Sequence, residues 1–354
     1  MIAVTADLHL TRRDQNPERF HALENILDQM LQEKVNVLFL LGDVFQENMQ
    51  NYGEFDALCQ DSRYRSIQFH LIPGNHDPYL TSQFFSAENV VVHSQPELFS
   101  VKEKDFPILC LPYTPEKTMG EEMIRFRDQL PEYHWILFGH GDWVEGLREP
   151  HSWEPGVYMP LTRTDVESLK PACVVLGHIH KPTDRDVIHY PGSPCGLDVT
   201  ETGLRRFLFL DPATGQVSHR TVKTERVFFS ERLIALPVQE EEEYIQHAFD
   251  SMKKSWGIPE KELGRVKLRL EVTGYTRDKH RLEKTIRSVF QSVQFFREGD
   301  PDLSEVSVTQ EMDRIEIAEA LRREIEVMDW PKDPYAPSKE EAFLHALRVV
   351  FGLS

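Results

Sequence analysis

Five apolar runs in this sequence each end in a short group of histidine, aspartate, asparagine and glycine residues. In the third, an apolar stretch leads directly into Gly74-Asn75-His76-Asp77. A glycine at the end of a strand lets the backbone turn sharply, so the polar side chains after it collect at that end of the strand. Five such strand ends predict a metal site at one edge of a sheet. The five segments are 2–9, 37–43, 71–79, 135–140 and 174–180.

The order of the apolar segments predicts an α/β fold built in layers. Residues 2–6 and 35–41 are almost continuously apolar, as in strands that are buried on both faces. Residues 17–34 carry apolar side chains at helical spacing, and Pro17 suits the first turn of a helix. A strand, a helix and a strand with short connections form a βαβ unit, which is typical of an α/β domain. Further predicted elements include a helix over 120–130 and a strand over 221–237.

A change of composition near residue 222 predicts three segments. We expect a catalytic domain over 1–222, a small α+β cap over 223–308 and a two-helix tail over 309–354. The tail helices, 314–328 and 339–351, each carry an apolar stripe. Such a stripe has to be buried, either against the rest of the chain or against another protein.

The chain is acidic overall, which limits the partners that its whole surface can attract. Its 354 residues include 40 basic and 58 acidic side chains, for a formal net charge of −18. This charge disfavours a general polyanion-binding surface but leaves room for a local basic track. The segment 253–287 is locally basic, and it is either a solvated helix face or a track for a phosphate backbone. Its basic residues are Lys253, Lys254, Lys261, Arg265, Lys267, Arg269, Arg277, Lys279, Arg281, Lys284 and Arg287.

Cysteine usage and hydropathy predict a cytoplasmic protein. The four cysteines are far apart and form no CxxC pair, so buried free thiols in a reducing compartment are expected. No apolar run has the length of a membrane helix, and the first residues have no signal-peptide core. The cysteines are Cys59, Cys110, Cys173 and Cys195.

Seven side chains at the strand ends form the candidate ligand set. Carboxylate, amide and imidazole ligands without thiolates favour Mn, Fe or Zn. Seven ligands are too many for one first-row ion and suit two ions about 3.5–4 Å apart, which hold a phosphoryl oxygen and activate a water. A carboxylate such as Asp43 can bridge such a pair. The set is Asp7, His9, Asp43, Asn75, His140, His178 and His180.

Spacing within the set supports this interpretation. Asp7 and His9 are two residues apart, as are His178 and His180, so in an extended backbone each pair projects to one side. Each short motif alone is common by chance. The ordered series DxH, GD, GNHD, GH and GHxH, each after an apolar run, is specific to a metal site.

The two residues after Asn75 are the candidate catalytic residues. His76 is not needed as a ligand, and it is assigned as general acid and transition-state stabiliser. Asp77 is expected to orient either the His76 ring or the loop. His93 is a weaker candidate for a metal ligand. Asp142 and His151 could contact substrate, although solvated loop positions are the main expectation for both.

The ordered motifs resemble those of the calcineurin-like metallophosphoesterase superfamily over residues 1 to about 200. The resemblance implies two packed β-sheets flanked by helices, with a dimetal site at the strand ends. It also implies which ligands share an ion. Asp7, His9 and His180 would hold the first metal, Asn75, His140 and His178 would hold the second, and Asp43 would bridge them.

Within the superfamily, the chain is most similar to SbcD-type DNA nucleases. The similarity includes LGHIHKP at 176–182, the YPGSP turn at 190–194, the α+β cap and the terminal helix pair. It implies a Mn²⁺-dependent DNA phosphodiesterase with 3′ to 5′ exonuclease activity, and endonuclease activity as an option. It further implies a cap that closes over DNA and terminal helices that bind an SbcC-like ATPase of the SMC type.

Departures from the family pattern keep alternatives open. The opening VTADLHL and Gln46 both differ from the usual residues, and the chain is strongly acidic. A phosphodiesterase acting on a small nucleotide would use the same metal centre. A binding scaffold with a degenerate site is a third class, which the complete ligand set with His76 disfavours. A homodimer is also left open.

Overall fold

Two compact units make up this chain in its computed structural model, which describes residues 1–47, 52–102, 105–144, 156–238, 240–331 and 336–351. The first unit contains Met1–Leu197 and Leu204–Glu225, and the second contains Asp198–Gly203 and Arg226–Ser354. The predicted cap and the predicted tail therefore lie in the same compact unit. The functional division into three segments stays a prediction.

Two six-stranded sheets form the first unit. Its strands are, in chain order, β1 (Ile2–Thr5), β2 (Val37–Leu41), β3 (Gln68–Ile72), β4 (Val90–Val92), β5 (Glu97–Phe99), β6 (Ile108–Leu111), β7 (Ile136–His140), β8 (Trp143–Val144), β9 (Leu161–Thr162), β10 (Cys173–Gly177), β11 (Thr183–Arg185), β12 (Ile188–Tyr190), β13 (Arg206–Asp211) and β14 (Gln216–Thr221). One sheet has the order β14-β13-β1-β2-β3-β4, and the other has the order β11-β12-β10-β7-β6-β5. Strands β8 and β9 pair separately.

The two sheets pack face to face with parallel strands at their centres. Strands β1 to β4 run parallel in the first sheet, and β6, β7 and β10 run parallel in the second. Apolar side chains of both sheets share one core, in which the Phe39 and Phe138 rings are 4.9 Å apart. The carboxyl ends of the central strands therefore supply polar residues from both sheets.

Helices cover the outer faces of both sheets. Helices α1 (Pro17–Gln32) and α2 (Tyr52–Gln60) pack on the first sheet, and α3 (Met119–Met123) and α4 (Arg163–Leu169) pack on the second. Helix α1 begins at Pro17 and buries a face that includes Phe20, Leu23 and Leu27. The predicted α/β fold, with two sheets flanked by helices, is confirmed.

Two predicted elements are wrong in extent. The helix predicted over 120–130 is α-helical only over Met119–Met123 and continues as a 3-10 helix over Ile124–Gln129. Ile124 is 54% exposed, so this second part lacks the buried apolar face that sustains an α-helix. Within the strand predicted over 221–237, only Val227–Ala235 forms a strand, while Thr221 ends β14 and the chain leaves the first unit after Glu225.

A parallel four-stranded sheet with two helices forms the centre of the second unit. The strands are β15 (Val227–Ala235), β16 (Val266–Thr276), β17 (Gln294–Phe295) and β18 (Asp302–Val308), and the helices are α5 (Glu241–Trp256) and α6 (Lys279–Val289). Strand β16 pairs with the other three in parallel. Along β16, buried Val266 and Leu268 alternate with partly exposed Lys267 and Arg269. One face of this sheet is therefore packed, and the other carries charged side chains.

The terminal helices pack on the second unit through one side only. Helices α7 (Met312–Val327) and α8 (Lys339–Phe351) bury Ile315 and Leu347 in a core shared with Tyr275, whose ring stacks on Phe351 at 3.9 Å. On their outer side, Val327 and Val349 are each 80% exposed. The apolar stripes were predicted to be buried either against the rest of the chain or against another protein. Their inner residues are buried against the rest of the chain.

The cysteines agree with the expectation of buried free thiols. All four cysteines are free and buried, and burial raises the pKa of Cys173 to about 12. Among the described residues, no helix is both long enough and apolar enough to cross a membrane.

His93, the weaker candidate for a metal ligand, belongs to a buried aromatic cluster. It is in none of the possible metal-ligand groups found among the described residues. Its Nε2 lies 3.0 Å from His70 Nδ1, and its Nδ1 lies 2.7 Å from Glu97 Oε1. The His70 ring stacks on Phe39 with 4.6 Å between centroids. Burial, followed by the nearby His93, lowers the pKa of His70 to about 4. His70 is therefore neutral in the folded protein at pH values where the unfolded chain binds a proton.

We expect this difference to make the free energy of unfolding depend on pH. The contribution of His70 to the free energy of unfolding is fully present above the unfolded pKa of about 6.5. It falls as the pH decreases toward the folded pKa, because the unfolded state then binds more protons. The His70 contribution is about 2 kcal/mol between about pH 7.5 and about pH 5. Urea unfolding at both pH values should show that His70→Phe loses about 2 kcal/mol less free energy of unfolding than the wild type when the pH is lowered. An identical loss in both proteins would contradict the prediction.

Candidate metal centre

The strand ends of both sheets bring all seven predicted ligands together. In the first sheet Asp7 and His9 follow β1, Asp43 follows β2 and Asn75 follows β3, while in the second sheet His140 ends β7 and His178 and His180 follow β10. In the described part of the chain, three groups have ligand atoms within 4.8 Å of one another. The groups are Asp7-His9-His180, His9-Asp43-His76 and Asp43-His140-His178.

The first group surrounds the end of β1. The Nε2 atoms of His9 and His180 lie 3.1 Å apart. Asp7 Oδ1 accepts a hydrogen bond from the backbone N–H of His178 at 2.9 Å, whereas its buried Oδ2 has no hydrogen-bond partner among the described residues. A buried carboxylate oxygen without a partner is costly unless a positive charge lies close to it. This group therefore has the donor atoms of a cation site and a buried carboxylate oxygen that a cation would stabilise.

The second ligand group, Asn75, His140 and His178, lies where the ends of β3, β7 and β10 meet. Asn75 Oδ1 is 2.8 Å from His140 Nε2 and 3.1 Å from His178 Nδ1. His140 Nδ1 lies 2.9 Å from the carbonyl oxygen of Leu41, which can only accept, so Nδ1 carries the proton. In the neutral imidazole, the lone pair of His140 Nε2 is directed at the oxygens of Asn75 and Asp43. Electron-rich atoms that face one another in this way suit a bound cation.

Asp43 stands between the two groups. Its Oδ2 is 3.3 Å from His140 Nε2 and 3.7 Å from His9 Nε2. Its Oδ1 accepts a hydrogen bond from the backbone N–H of His76 at 2.8 Å. Burial disfavours the charged carboxylate, but His140 and then His9 outweigh it, so the pKa of Asp43 lies well below its usual range. Asp43 is thus an ionised carboxylate in contact with both groups, as a bridging ligand has to be.

The charges of the donor set fit divalent cations. Burial raises the pKa of Asp7 to about 6 and lowers the pKa of His9 to about 3. Although burial opposes its protonation, the neighbouring Asp43 and then Asp7 raise the pKa of His140 to about 10. The two carboxylates therefore favour a positive charge between them. A divalent cation would take the place of the proton on His140 Nε2, because imidazoles bind metal in their neutral form and carboxylates in their ionised form.

The backbone at the ligands is left-handed and not extended. The φ angle is +54° at Asp7, +45° at His9, +49° at Asp43 and +96° at His178. The prediction that the paired ligands project to one side of an extended strand is therefore wrong, although their side chains reach the same site. Neighbouring loops hold this conformation, because the N–H of Asp7 donates to the Gly42 carbonyl at 3.1 Å and that of His9 donates to the Asp43 carbonyl at 2.8 Å. Such strained residues typically occur at functional sites.

Two glycines allow the strand ends to approach closely enough to form the centre. A Cβ atom on Gly177 would lie 1.8 Å from the Leu41 carbonyl oxygen and 2.7 Å from His140 Nδ1. A Cβ atom on Gly42, where φ is +83°, would lie 2.0 Å from the same nitrogen of His140. Any larger residue at either position would force the ends of β2, β7 and β10 apart.

His76 lies on the open side of the centre. Its ring centroid is 4.8 Å from that of His9, and its ring shares a group with Asp43. His76, Asn75 and His180 are partly exposed, whereas the other five predicted ligands are buried. The centre is therefore accessible to solvent beside His76, Asn75 and His180.

Asp77 connects the loops on which His76 and Asp43 lie. Its Oδ1 accepts from the N–H of Gly74 at 2.7 Å, and its Oδ2 accepts from the N–H groups of Val44 at 2.8 Å and Phe45 at 3.2 Å. Burial raises the pKa of Asp77 to about 6. Asp77 was predicted to orient either the His76 ring or the loop, and these contacts favour the loop.

Gln46 supports the first group, although it was noted in the sequence only as a departure from the family pattern. Its Oε1 lies 3.1 Å from His9 Nδ1. Because an amide oxygen accepts, His9 carries its proton on Nδ1 and turns Nε2 toward Asp7 and His180. Glutamine at this position does what a carboxylate partner of a ligating histidine does, without adding a charge.

Asp142 is buried, so the expectation of a solvated loop position is wrong for this residue. Its Oδ1 lies 3.7 Å from His178 Nε2, and its Oδ2 accepts from the N–H of Tyr158 at 2.7 Å. A carboxylate beside the outer nitrogen of a ligating histidine fixes its tautomer and orientation. The sequence signal was an acid two residues after His140 in Gly-His-Gly-Asp. His151, the other loop candidate, lies outside the described residues.

Arg205 holds the backbone of His180, and no sequence pattern pointed to it. It is 2% exposed, and its Nη2 donates to the His180 carbonyl at 3.1 Å and to Ser193 Oγ at 2.6 Å. The N–H of Ser193 donates to the same carbonyl at 3.1 Å. The Pro-Gly-Ser-Pro turn therefore serves to fix His180 in place.

Replacement of Asp142 by asparagine should weaken metal binding at the second group. Asparagine can still accept from the Tyr158 N–H, but it loses the charge beside His178. We expect the affinity for Mn²⁺ at this group to fall by about 10- to 100-fold. Titration with Mn²⁺ monitored by electron paramagnetic resonance would measure this. Asp184→Asn is the matched control, because Asp184 Oδ1 lies 2.8 Å from His189 Nδ1 outside the centre. Equal Mn²⁺ affinities in the two variants would contradict the prediction.

A family model, a curated relative and a solved structure are similar to this chain. The family model for the calcineurin-like phosphoesterases matches residues 1–182. An uncharacterized metallophosphoesterase of Bacillus subtilis, YhaO, is 24% identical over 230 residues, which cover 61% of this chain and 55% of the relative. The chain thus spans about half the length of that relative. The crystal structure of a dimetal phosphatase from Danio rerio is 12% identical and covers 63% of this chain and 98% of its own, with a TM-score of 0.34.

Proposed function

This chain belongs to the calcineurin-like phosphoesterase family, and from that premise we propose that it hydrolyses phosphodiester bonds in DNA with two divalent metal ions. The observation that carries the proposal is the pair of ligand groups joined by Asp43, with His76 on their open side. The carboxylate, amide and imidazole donors without thiolate suit Mn, Fe or Zn, and Mn²⁺ is the proposed metal because the resemblance to SbcD-type nucleases implies it. One ion would be held by Asp7, His9 and His180 and the other by Asn75, His140 and His178, with Asp43 shared.

The chain's own residues supply proton transfer and positioning. Divalent ions at such a centre supply Lewis acidity to the phosphoryl group and lower the pKa of a water. His76 donates a proton to the leaving oxygen, since its ring is the partly exposed one beside Asp43 and His9. Asp77 holds the His76 loop against the Asp43 loop. Gln46 and Asp142 keep His9 and His178 in the orientation that a ligand needs.

A basic and aromatic sheet face in the second unit supports DNA as the substrate. Lys267 and Arg269 lie on the partly exposed side of β16, opposite Phe228 and Ser230 of β15 in the strand register. The Phe228 ring is 6.0 Å from that of Phe296. Basic side chains interleaved with aromatic rings are typical of surfaces that bind a nucleic acid strand.

Ion pairing in the predicted basic segment favours a second candidate, a phosphodiesterase that acts on a small nucleotide. Arg269 pairs with Glu271 at 2.9 Å and Arg287 pairs with Glu283 at 2.9 Å, so part of the basic charge is compensated locally. The net charge of −18 also opposes the approach of a long polyanion. A small substrate would need only the metal centre.

A direct assay distinguishes the two candidates. The purified chain is incubated with Mn²⁺ and 5′-end-labelled linear DNA, single-stranded or duplex, and with a mononucleotide p-nitrophenyl diester. Shortening of the labelled strand from its 3′ end supports the exonuclease. DNA binding should weaken steeply with salt, and further in Lys267→Gln/Arg269→Gln but not in the control Lys34→Gln/Lys223→Gln, which changes two exposed lysines of the first unit. Salt-insensitive turnover of the small diester without DNA degradation would favour the second candidate.

The proposal extends to an SbcC-like ATPase as the partner of the terminal helices. Apolar Ile317 is 52% exposed on α7, and Val349 is 80% exposed on α8. Exposed apolar side chains on adjacent helices suit a coiled-coil partner. Charged substitutions at these two positions should abolish co-purification with the ATPase. A matched charged substitution at Val91, which is 38% exposed in the first unit, should not.

A further inference from the structure

Two of the most exposed aromatic side chains of this protein follow directly after the catalytic loop. In the described part of the chain, the aromatic residues among the exposed large apolar side chains are Tyr79 at 85%, Phe84 at 47% and Tyr133 at 59%. Tyr79 is three residues after His76, so their Cα atoms are within about 11 Å. The fold does not need a large ring in water at this position, and exposed apolar groups that cluster mark a binding surface.

Phe84 is held rigidly as one layer of an aromatic stack. Its ring lies on that of Tyr52 with 4.7 Å between centroids and 15° between planes. Tyr52 in turn meets the buried Phe45 edge to face at 4.7 Å. The Phe84 ring is therefore anchored to the core through Tyr52 while almost half of the residue stays in contact with solvent. We name the aromatic platform the stacked pair Tyr52 and Phe84 together with Tyr79, which lies on the same loop as His76.

Hydrogen bonds connect the platform to the metal centre. Phe45, on which Tyr52 packs, donates its N–H to Asp77 Oδ2 at 3.2 Å. The same carboxylate accepts from Gly74 in the loop that carries His76. Phe45 is also only two residues from Asp43. The Tyr52–Phe84 pair is thus linked to the loop of His76 through Phe45 and Asp77, Tyr79 lies on that loop itself, and all of these residues belong to the first unit.

We propose that the aromatic platform binds an unpaired nucleobase of the substrate, next to the phosphodiester at the metal centre. A nucleobase is the planar group that lies near a phosphodiester in a nucleic acid, and stacking on aromatic rings accepts any base sequence. Stacking also needs a base with a free face, which a strand end or a single strand offers and the interior of a duplex does not. This inference rests on the proposed phosphodiesterase function and specifies the substrate as a strand with unpaired bases.

Oligonucleotides with and without bases test the inference. Two single strands of equal length are compared, one normal and one with abasic residues at the three 3′-terminal positions. The wild type should degrade the normal strand about tenfold faster in kcat/KM, and the ratio should approach one in Tyr79→Ser/Phe84→Ser. Both side chains are exposed, so the double variant keeps its fold. Tyr133→Ser removes an exposed ring elsewhere and should leave the ratio unchanged.

Binding measured in the presence of a chelator separates this inference from the proposed function. Fluorescence anisotropy of the two labelled strands should show about tenfold tighter binding of the normal strand, and the double variant should lose this preference. If neither strand is cleaved, the proposed function fails while the binding preference still decides the inference. Equal binding of normal and abasic strands by the wild type would overturn the platform.

Discussion

Replacement of Asp43 by asparagine is expected to abolish phosphodiester hydrolysis and to leave less than the full complement of metal. Asp43 is the carboxylate in contact with both ligand groups, and its pKa lies well below the usual range, so it carries a full charge. Asparagine keeps the size of the side chain and can still accept from the His76 N–H. The variant therefore isolates the loss of charge, and we expect kcat to fall by about 10³-fold or more.

Metal content decides this prediction together with the rate. Inductively coupled plasma mass spectrometry after loading with Mn²⁺ and gel filtration should find about two ions in the wild type and at most one in Asp43→Asn. Asp56→Asn is the matched control, because Asp56 Oδ1 accepts from the N–H groups of Ser86 and Ala87, both at 2.9 Å, outside the centre. A variant that keeps both ions and most of its activity would show that Asp43 does not bridge them.

The substitution His76→Ala is expected to lower the rate without removing metal. Loss of a general acid typically costs about 10²–10⁴-fold in rate. DNA should show this full loss, because its leaving group is a sugar alkoxide that needs a proton. A p-nitrophenyl diester should lose about tenfold or less, because p-nitrophenolate leaves without protonation.

The dependence on leaving group distinguishes a general acid from a ligand. His76 shares a group with His9 and Asp43, so it is close enough to bind a metal itself. If His76→Ala loses metal, and both substrates slow down equally, His76 acts as a ligand and the assignment as acid fails. His189→Ala provides the control, because His189 pairs with Asp184 at 2.8 Å away from the centre and its loss should change neither readout.

Residue types at strand ends were sufficient to predict which side chains gather at the centre. A buried strand shows as an apolar run, and parallel neighbours bring the residues after each run to one edge. The loop contacts could not be predicted, because they join residues far apart in sequence. Gln46 and His9 are 37 residues apart, and Asp142 and His178 are 36 apart. Whether each of the seven gathered side chains binds metal stays a prediction that the proposed variants test.

The conformation of the ligand loops could not be predicted either. The spacing of Asp7 and His9 suggested an extended pair, but hydrogen bonds to the neighbouring loop at Gly42 and Asp43 hold both residues at positive φ. In the second unit, β18 was missed, because Asp302–Val308 contains mostly polar residues and pairs with β16 only through the tertiary fold. Non-local pairing decided both cases, and single-sequence periodicity carries no information about it.

The position of β1 within its sheet has a consequence for synthesis of the chain on the ribosome. Ala3 pairs with Leu38 of β2 on one side and with Phe209 of β13 on the other. The strand that leads into Asp7 and His9 is translated well before its second neighbour, which follows about 200 residues later in the chain. All seven gathered side chains have therefore left the peptidyl transferase centre before the sheet beneath them can close. Until then β1 has an open hydrogen-bonding edge, which makes the nascent chain a natural client for chaperones.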